Sequence, residues 1–369
     1  MWLIISTFLF GLMYAIIMIL FLRGWKNLKT LKIGEPVEDA KISVIIALRN
    51  EADNIKPLIK SLNNQNIAQT NHEIILVNDH SSDDSLNSLE QLTKNHPQYK
   101  ILSLPEALSG KKQALRFGYE NSTGDVLLFT DADCLPGSSW IKMMLNAIIT
   151  HNYDLILGPV LLSPAKTVFQ KIQQLDYMSM LMSGAGALGI GIPILAFGPN
   201  MAIRRNLYAK LIGEIKENIP SGDDMFILEA AKRDPEIRIG FVKDEKAIIC
   251  SPPPAGIQEF WNQRKRWVSK TGNYTDKEII IVSIIVYMMN LSLFTSLFAA
   301  LFFSYPIWPF LVLIAAKSAF EFPLLSHGAL FFGIKNYIGR FVFTQIFYFI
   351  YIVLILPAGL IGSFKWKNR

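Results

Sequence analysis

The segment Val126–Cys134, VLLFTDADC, ends an apolar run on two carboxylates, Asp131 and Asp133, one residue apart. On an extended backbone, side chains at i and i+2 share a face, so the pair can address one cleft. Carboxylates that close need a cation. Hard oxygen ligands favour Mg2+ or Mn2+, ions that share their shell with substrate phosphates. A solvated acidic turn is the plain alternative. Repetition favours the first reading: Asn50-Glu51 and Asp79 also stand directly after short apolar, β-branched runs.

Those runs must be strands that carry the acids to one edge. KISVIIALRN (Lys41–Asn50) predicts a buried strand over Ser43–Ile46, and HEIILVN predicts another over Glu73–Val77. YKILSLPE and GDVLLFTDADC predict two more. Between them, Ile55, Leu58, Ile59 and Leu62 recur at helical spacing, and Ser85–His96 and Lys111–Ser122 predict two further helices. Strand–helix alternation over about 90 residues argues for an α/β, doubly wound parallel sheet, in which ligands bind beyond the carboxyl ends of the strands.

The chain has 369 residues, 51% of them hydrophobic. The apolar excess is concentrated in segments. Met1–Leu22 has 22 residues without a charge, about 33 Å as a helix and enough to anchor in a bilayer. It lacks a basic n-region and a small-residue cleavage site, which argues against a signal peptide. A C-terminal block over 279–362 holds about three spans, Ile279–Phe303, Ile307–Phe332 and Phe341–Gly362. Lys317 and Glu321 interrupt the middle one at i,i+4 spacing. They either satisfy each other inside a bundle or serve a function there.

Between these blocks, residues 41–270 suit one globular domain. The net charge of +6 gathers at the borders: Arg23–Lys32 carries four basic residues and no acid, and RKRW (Arg264–Trp267) precedes the second block. By the positive-inside rule the large domain faces the cytoplasm, as in a multi-pass protein of a bacterial inner membrane. The terminal KWKNR does not fit three simple crossings. Cys134 and Cys250 have no ligand-like spacing and read as packing residues. The basic residues do not stud a soluble face with aromatics, so nucleic acid is not an expected partner.

Five stretches now stand in order: SVIIALRNEADNI, VNDHSSDDS, GKKQAL with GDVLLFTDADC, SGDD and QRKRW. As a set they resemble family 2 glycosyltransferases, and within them the membrane-bound branch of hyaluronan, chitin and cellulose synthases and ceramide glucosyltransferase. The resemblance implies a GT-A fold, a nucleotide-sugar donor (usually UDP-linked), a divalent cation, inversion at the anomeric carbon and a lipid or glycan acceptor beside membrane lipids. It places Ala47, Arg49 and Glu51 at the uracil and ribose, and Asp79 at either. Lys111 or Lys112 would reach the nucleotide or its phosphates. Asp131 would lie near ribose and metal, and Asp133 would be the direct metal ligand. Asp223 takes a place usually held by Glu or Asp, and Asp224 that of the catalytic base. Gln263, Arg266 and Trp267 match Q-x-x-R-W, beside diphosphate and acceptor. Asn200, in FGPNMA, would contact the acceptor or simply follow a turn. GAGALGIGIP (Gly184–Pro193) is either an interfacial loop or a place of close packing.

The chemistry is coherent. A departing diphosphate needs cationic neutralisation, for which the Arg266 fork is suited. A carboxylate within hydrogen-bond reach of an acceptor hydroxyl can serve as base. SGDD can equally open a helix, with Ser221 as its cap. The short C-terminal block tilts the expectation from a processive polysaccharide synthase towards transfer of one or few sugars. A nucleotidyltransferase would show a Gly-rich loop near the first strand, and ALRNEADN has no glycine. A non-catalytic binding module would have no need of Asp133 and Asp224.

Overall fold

The structure is a computed structural model and describes residues 2–31, 40–67, 72–216, 219 and 222–361. Ser221, Lys32 and the terminal KWKNR lie outside the described residues. In chain order the elements are α1 (Trp2–Asn27), β1 (Ile42–Leu48), α2 (Ala52–Asn63), β2 (His72–Asn78), α3 (Ser85–Thr93), β3 (Tyr99–Ser103), α4 (Lys111–Glu120), β4 (Val126–Phe129), β5 (Leu135–Pro136), α5 (Trp140–Ile149), β6 (Leu155–Leu157) and β7 (Val160–Leu162). There follow α6 (Val168–Gly189), β8 (Met201–Arg204), α7 (Arg205–Leu211), α8 (Asp223–Ala231), β9 (Ile239–Phe241), β10 (Ile249–Ser251), α9 (Ile257–Val268), α10 (Lys277–Phe302), α11 (Trp308–Phe331) and α12 (Ile338–Ile361).

These fall into two compact units. The α/β unit takes the described residues within 29–164 and 196–252. Its main sheet has seven strands in the order β3-β2-β1-β4-β8-β6-β9. The four strands expected from the sequence are there, parallel and adjacent, with β1 at the centre of the four. The fully parallel sheet is corrected, because β8 runs antiparallel to both β4 and β6. It lies beside β4 with Met201 opposite Phe129, so the chain just before β8 comes level with the start of the TDADC turn. A second sheet orders β5-β10-β7.

The core explains why these runs are strands. Val44 and Ile46 of β1, Ile74 and Leu76 of β2 and Leu128 of β4 are buried together with Ile55, Leu58, Ile59 and Leu62 of α2. Each such side chain contributes roughly 1.5–3 kcal/mol of burial. Cys134 is buried in the same cluster, as a packing residue.

The helical unit takes the described residues within 1–28, 165–195 and 253–366. Residues 165–195 and 253–270, expected in the globular domain, group with the apolar helices instead. Among the described residues, four helical stretches are long and apolar enough to cross a membrane: Thr7–Asn27, Lys277–Phe302, Trp308–Phe331 and Ile338–Leu360. The glycine-rich run is not a loop over its first part, since Gly184, Gly186 and Gly189 lie in α6. They permit close packing. A Cβ on Gly186 would stand 2.3 Å from the Phe21 carbonyl oxygen of α1, and one on Gly24 would stand 1.8 Å from the Gly186 oxygen.

Inside this unit Lys317 and Glu321 do satisfy each other, at 2.8 Å. Gln345 of α12 completes the set, its Oε1 accepting from Lys317 Nζ at 2.8 Å and its Nε2 donating to Glu321 Oε2 at 2.7 Å. The Tyr14 hydroxyl of α1 donates to Glu321 as well. Three helices are thereby joined by one saturated polar group, the condition under which buried charge is tolerable.

Candidate active site

Two clusters form at the carboxyl ends of the parallel strands. The first joins β1 and β2. The Asp79 side chain is 3% exposed, and its backbone N–H donates to Leu48 O. Arg49 Nη1 lies 3.9 Å from Asp79 Oδ1 and donates to the Asp79 carbonyl at 3.3 Å. Asp79 Oδ2 accepts the backbone N–H of Gly110 at 3.1 Å. Gly110 has φ +100° and immediately precedes α4, so Asp79 fixes the point where that helix starts and Lys111 emerges. Ala47 stands beside Val77 in the register of β1 and β2. Glu51 turns back instead. It sits at the N-cap of α2, where its Oε2 accepts from Asn54 at 2.7 Å and its N–H donates to Ser85 Oγ.

The second cluster centres on Lys111. Its Nζ is 2.5 Å from Asp131 Oδ1, with the two side chains 25% and 31% exposed. Burial alone would lower the lysine pKa. The fields of Asp131, Asp223 and Asp224 overcome it and hold the ammonium well above the usual lysine range. One carboxylate, Asp131, contacts the lysine, and the fields of two more at the start of α8 reach it. Asp133 belongs to the same turn: after burial, its field and then that of Asp131 push the Cys134 thiol up, and the thiol donates to Asp133 Oδ1 at 3.5 Å. Lys112 points elsewhere. It donates to the Lys216 carbonyl at 2.8 Å and lies 5.0 Å over the Phe226 ring.

Asp223 and Asp224 open α8, as the helix-start reading requires, but the N-cap is Gly222. Its φ of +89° is left-handed, a conformation glycine adopts without a Cβ penalty. Asp224 is held from both sides: Oδ1 accepts from its neighbour Met225 N at 2.8 Å and Oδ2 from Gly198 N at 2.9 Å. Asp223 lines a small cavity with Lys112, Phe129, Tyr208 and Ile227. Sequence reasoning missed Tyr208, and its position three residues after Arg205 carries no signal of that role.

Asn200 requires a correction. It is fully buried, and its amide is consumed inside the protein: Oδ1 accepts from Trp140 Nε1 at 2.9 Å, and Nδ2 donates to Pro159 O and Ala247 O. An acceptor contact through that side chain is excluded by this burial.

Gln263, Arg266 and Trp267 lie on α9, in the helical unit. At i, i+3 and i+4 they share one face. The buried arginine of QRKRW is its neighbour Arg264, 3% exposed, 2.6 Å from Asp176 of α6 and 4.3 Å over the Trp267 ring. Trp267 also meets Tyr177 at 5.9 Å, so its rings pack within the unit.

Among the described residues no three metal-ligating side chains form a preformed cage. Asp131, paired with Lys111, and Asp133 on the same turn are the carboxylates that could hold a divalent ion together with phosphate oxygens.

The mixed sheet with acids at its strand ends has a GT-A-like architecture, found also in the mannosyltransferase PcManGT of Pyrobaculum calidifontis, at a TM-score of 0.61 and 16% identity over 97% of this chain and 99% of that one. Residues 43–212 match the model described as glycosyl transferase family 2. The probable glycosyltransferase YdaM of Bacillus subtilis is 27% identical over 232 residues, 62% of this chain and 54% of its own. The beta-monoglucosyldiacylglycerol synthase of Trichormus variabilis is 25% identical over 231 residues, 61% and 48%. The chain thus spans about half the length of these curated relatives.

Proposed function

We propose that the protein transfers a sugar from a nucleotide-diphosphate donor, UDP-linked by the resemblance of its motifs, to a lipid-linked or membrane-proximal acceptor, with inversion. The observation that carries this is the Lys111–Asp131 ion pair just past β4, together with Asp223 and Asp224 opening α8 and Asp224 held by the Gly198 N–H beside the start of β8. The acceptor class is supported by the four bilayer-length helices and by a relative named as a glycolipid synthase. The same helices support an integral membrane protein, and the basic border Arg23–Lys29 supports a cytoplasmic α/β unit by the positive-inside rule.

Arg49 and Asp79 border the nucleoside, in a cluster that also sets the start of α4. Lys111 places its ammonium where the donor phosphates bind. Asp131 and Asp133 hold a divalent ion, Mn2+ or Mg2+; the PcManGT complex contains Mn2+ and GDP-Man. When bound, that ion supplies charge neutralisation at the diphosphate. Asp224 accepts the proton of the acceptor hydroxyl, whose oxygen bonds to the anomeric carbon as the bond to the diphosphate breaks. The fixed Asp224 carboxylate needs no rearrangement to do so.

The test is to incubate the membrane-inserted protein with Mn2+ and a panel of labelled nucleotide sugars. One donor is expected to release nucleoside diphosphate, with label entering a lipid extract. Label in a long polymer would establish a processive synthase. No release from any donor would sink the enzyme reading.

A further inference from the structure

Asn200 is the most completely engaged side chain near the site, and the mechanism above does not use it. Its amide ties together three separate segments: Trp140 at the start of α5, Pro159 between β6 and β7, and Ala247 before β10. Its backbone does the same, accepting from Gly158 N at 2.8 Å and donating to Phe197 O at 2.9 Å. The fit is close: a Cβ on Gly158 would lie 2.3 Å from the Asn200 amide. Asn200 closes the short turn Gly198–Asn200. The first residue of that turn presents its N–H to Asp224 Oδ2 at 2.9 Å, and even a Cβ there would come within 3.3 Å of the same oxygen.

We propose that Asn200 is a positioning residue for Asp224, acting through the Gly198 N–H. The proposal rests on the reading of Asp224 as the base. The carboxamide adds three side-chain hydrogen bonds to a turn whose own backbone closes with one, Asn200 N–H to Phe197 O, and the turn in turn fixes one carboxylate oxygen. The other oxygen accepts from its own helix, through Met225 N. Without the outside contact, Asp224 can follow its χ rotamers away from the bound hydroxyl. Burial of an amide with every donor and acceptor matched is what makes such a brace rigid. Only Asn has both an acceptor for the Trp140 indole and two donors for the two carbonyls at this reach.

The test uses the full chain in lipid nanodiscs with three variants. Asn200→Ser removes the brace, Trp140→Phe removes one of its hydrogen bonds as a milder change, and Gly198→Ala disturbs Asp224 directly while sparing the amide. Transfer is expected to fall by up to about 10²-fold in Asn200→Ser and Gly198→Ala, and less in Trp140→Phe. Donor affinity by calorimetry should stay near wild type. The Asn200→Ser/Gly198→Ala double variant should lose little more than the worse single, since both act on one oxygen.

An infrared difference spectrum against Asp224→Asn isolates the Asp224 carboxylate stretch without any turnover. That band should shift in Asn200→Ser and in Gly198→Ala. An unshifted band, or turnover that merely tracks the folded fraction, overturns the positioning role. If the wild type turns over no donor, the proposed function fails, and the band still decides this inference.

Discussion

Lys111 Nζ and Asp131 Oδ1 stand 2.5 Å apart, so the protein carries its own cation on a carboxylate expected to share in metal binding. The lysine is an internal competitor for the ion. Replacing it with a neutral chain of similar length, Lys111→Met, should tighten Mn2+ binding in the absence of nucleotide by roughly fivefold or less, the scale of a partly exposed pair. The same variant should weaken donor binding, because its ammonium no longer meets the phosphates. Calorimetry with Mn2+ alone and then with donor reads both; a looser Mn2+ site would refute the competition.

Asp133→Ala should abolish nucleoside diphosphate release with every donor, a loss of at least about 10²-fold. Full turnover in that variant would remove the metal assignment.

Asp224→Asn should block transfer by about 10²–10⁴-fold while donor binding survives. Lost binding would mean that Asp224 holds the donor and is not the base.

Glu73, at the opposite end of β2 from the site, gives a pH-dependent stability. Burial pushes its carboxyl up, but hydrogen bonds from Ser43 Oγ and from Thr123 N–H and Oγ1 outweigh that and hold it below the usual carboxylate range. A depressed folded pKa contributes stability above the unfolded value of about 4.3, lost as pH falls through the folded value. Glu73→Gln should therefore be less stable than wild type at neutral pH, and the gap should close on acidification. Thermal melts across about pH 3–7 read this; a constant gap would contradict it.

Lys317→Ala strips the buried Glu321 of its charge partner and leaves the Gln345 carbonyl without its donor. Breaking such a pair from one side is expected to cost about 3–5 kcal/mol. The double change Lys317→Met/Glu321→Gln should be milder. Unfolding in detergent micelles gives the comparison, and equal losses would show that the charges are not coupled.

Much of this was legible in the residues. β-branched runs such as Ser43–Ile46 can only be buried strands, and the acids after them had to collect at one edge once the strands were parallel. What stayed illegible depended on contacts far along the chain. The antiparallel placement of β8 follows from how MAIR seats beside β4, and its four residues carry no directional signal. Asn200 looked like a turn residue offered to a ligand; only the approach of Trp140, Pro159 and Ala247 shows that it faces inward. The α9 run QRKRW advertises two arginines, and nothing in it says that Arg264 is the one buried against Asp176. The glycine-rich run left an interfacial loop and close packing both open; only the approach of α1 shows that Gly186 and Gly189 serve helix contact.

The Tyr14 hydroxyl meets Glu321, a residue made 307 positions later. On the ribosome, α1 therefore emerges and must wait in the lipid for a mate that does not yet exist, while the whole α/β unit is translated. Assembly of the bundle is consequently a late step in biogenesis. A stalled product ending before α11 would leave the Tyr14 hydroxyl without its Glu321 acceptor.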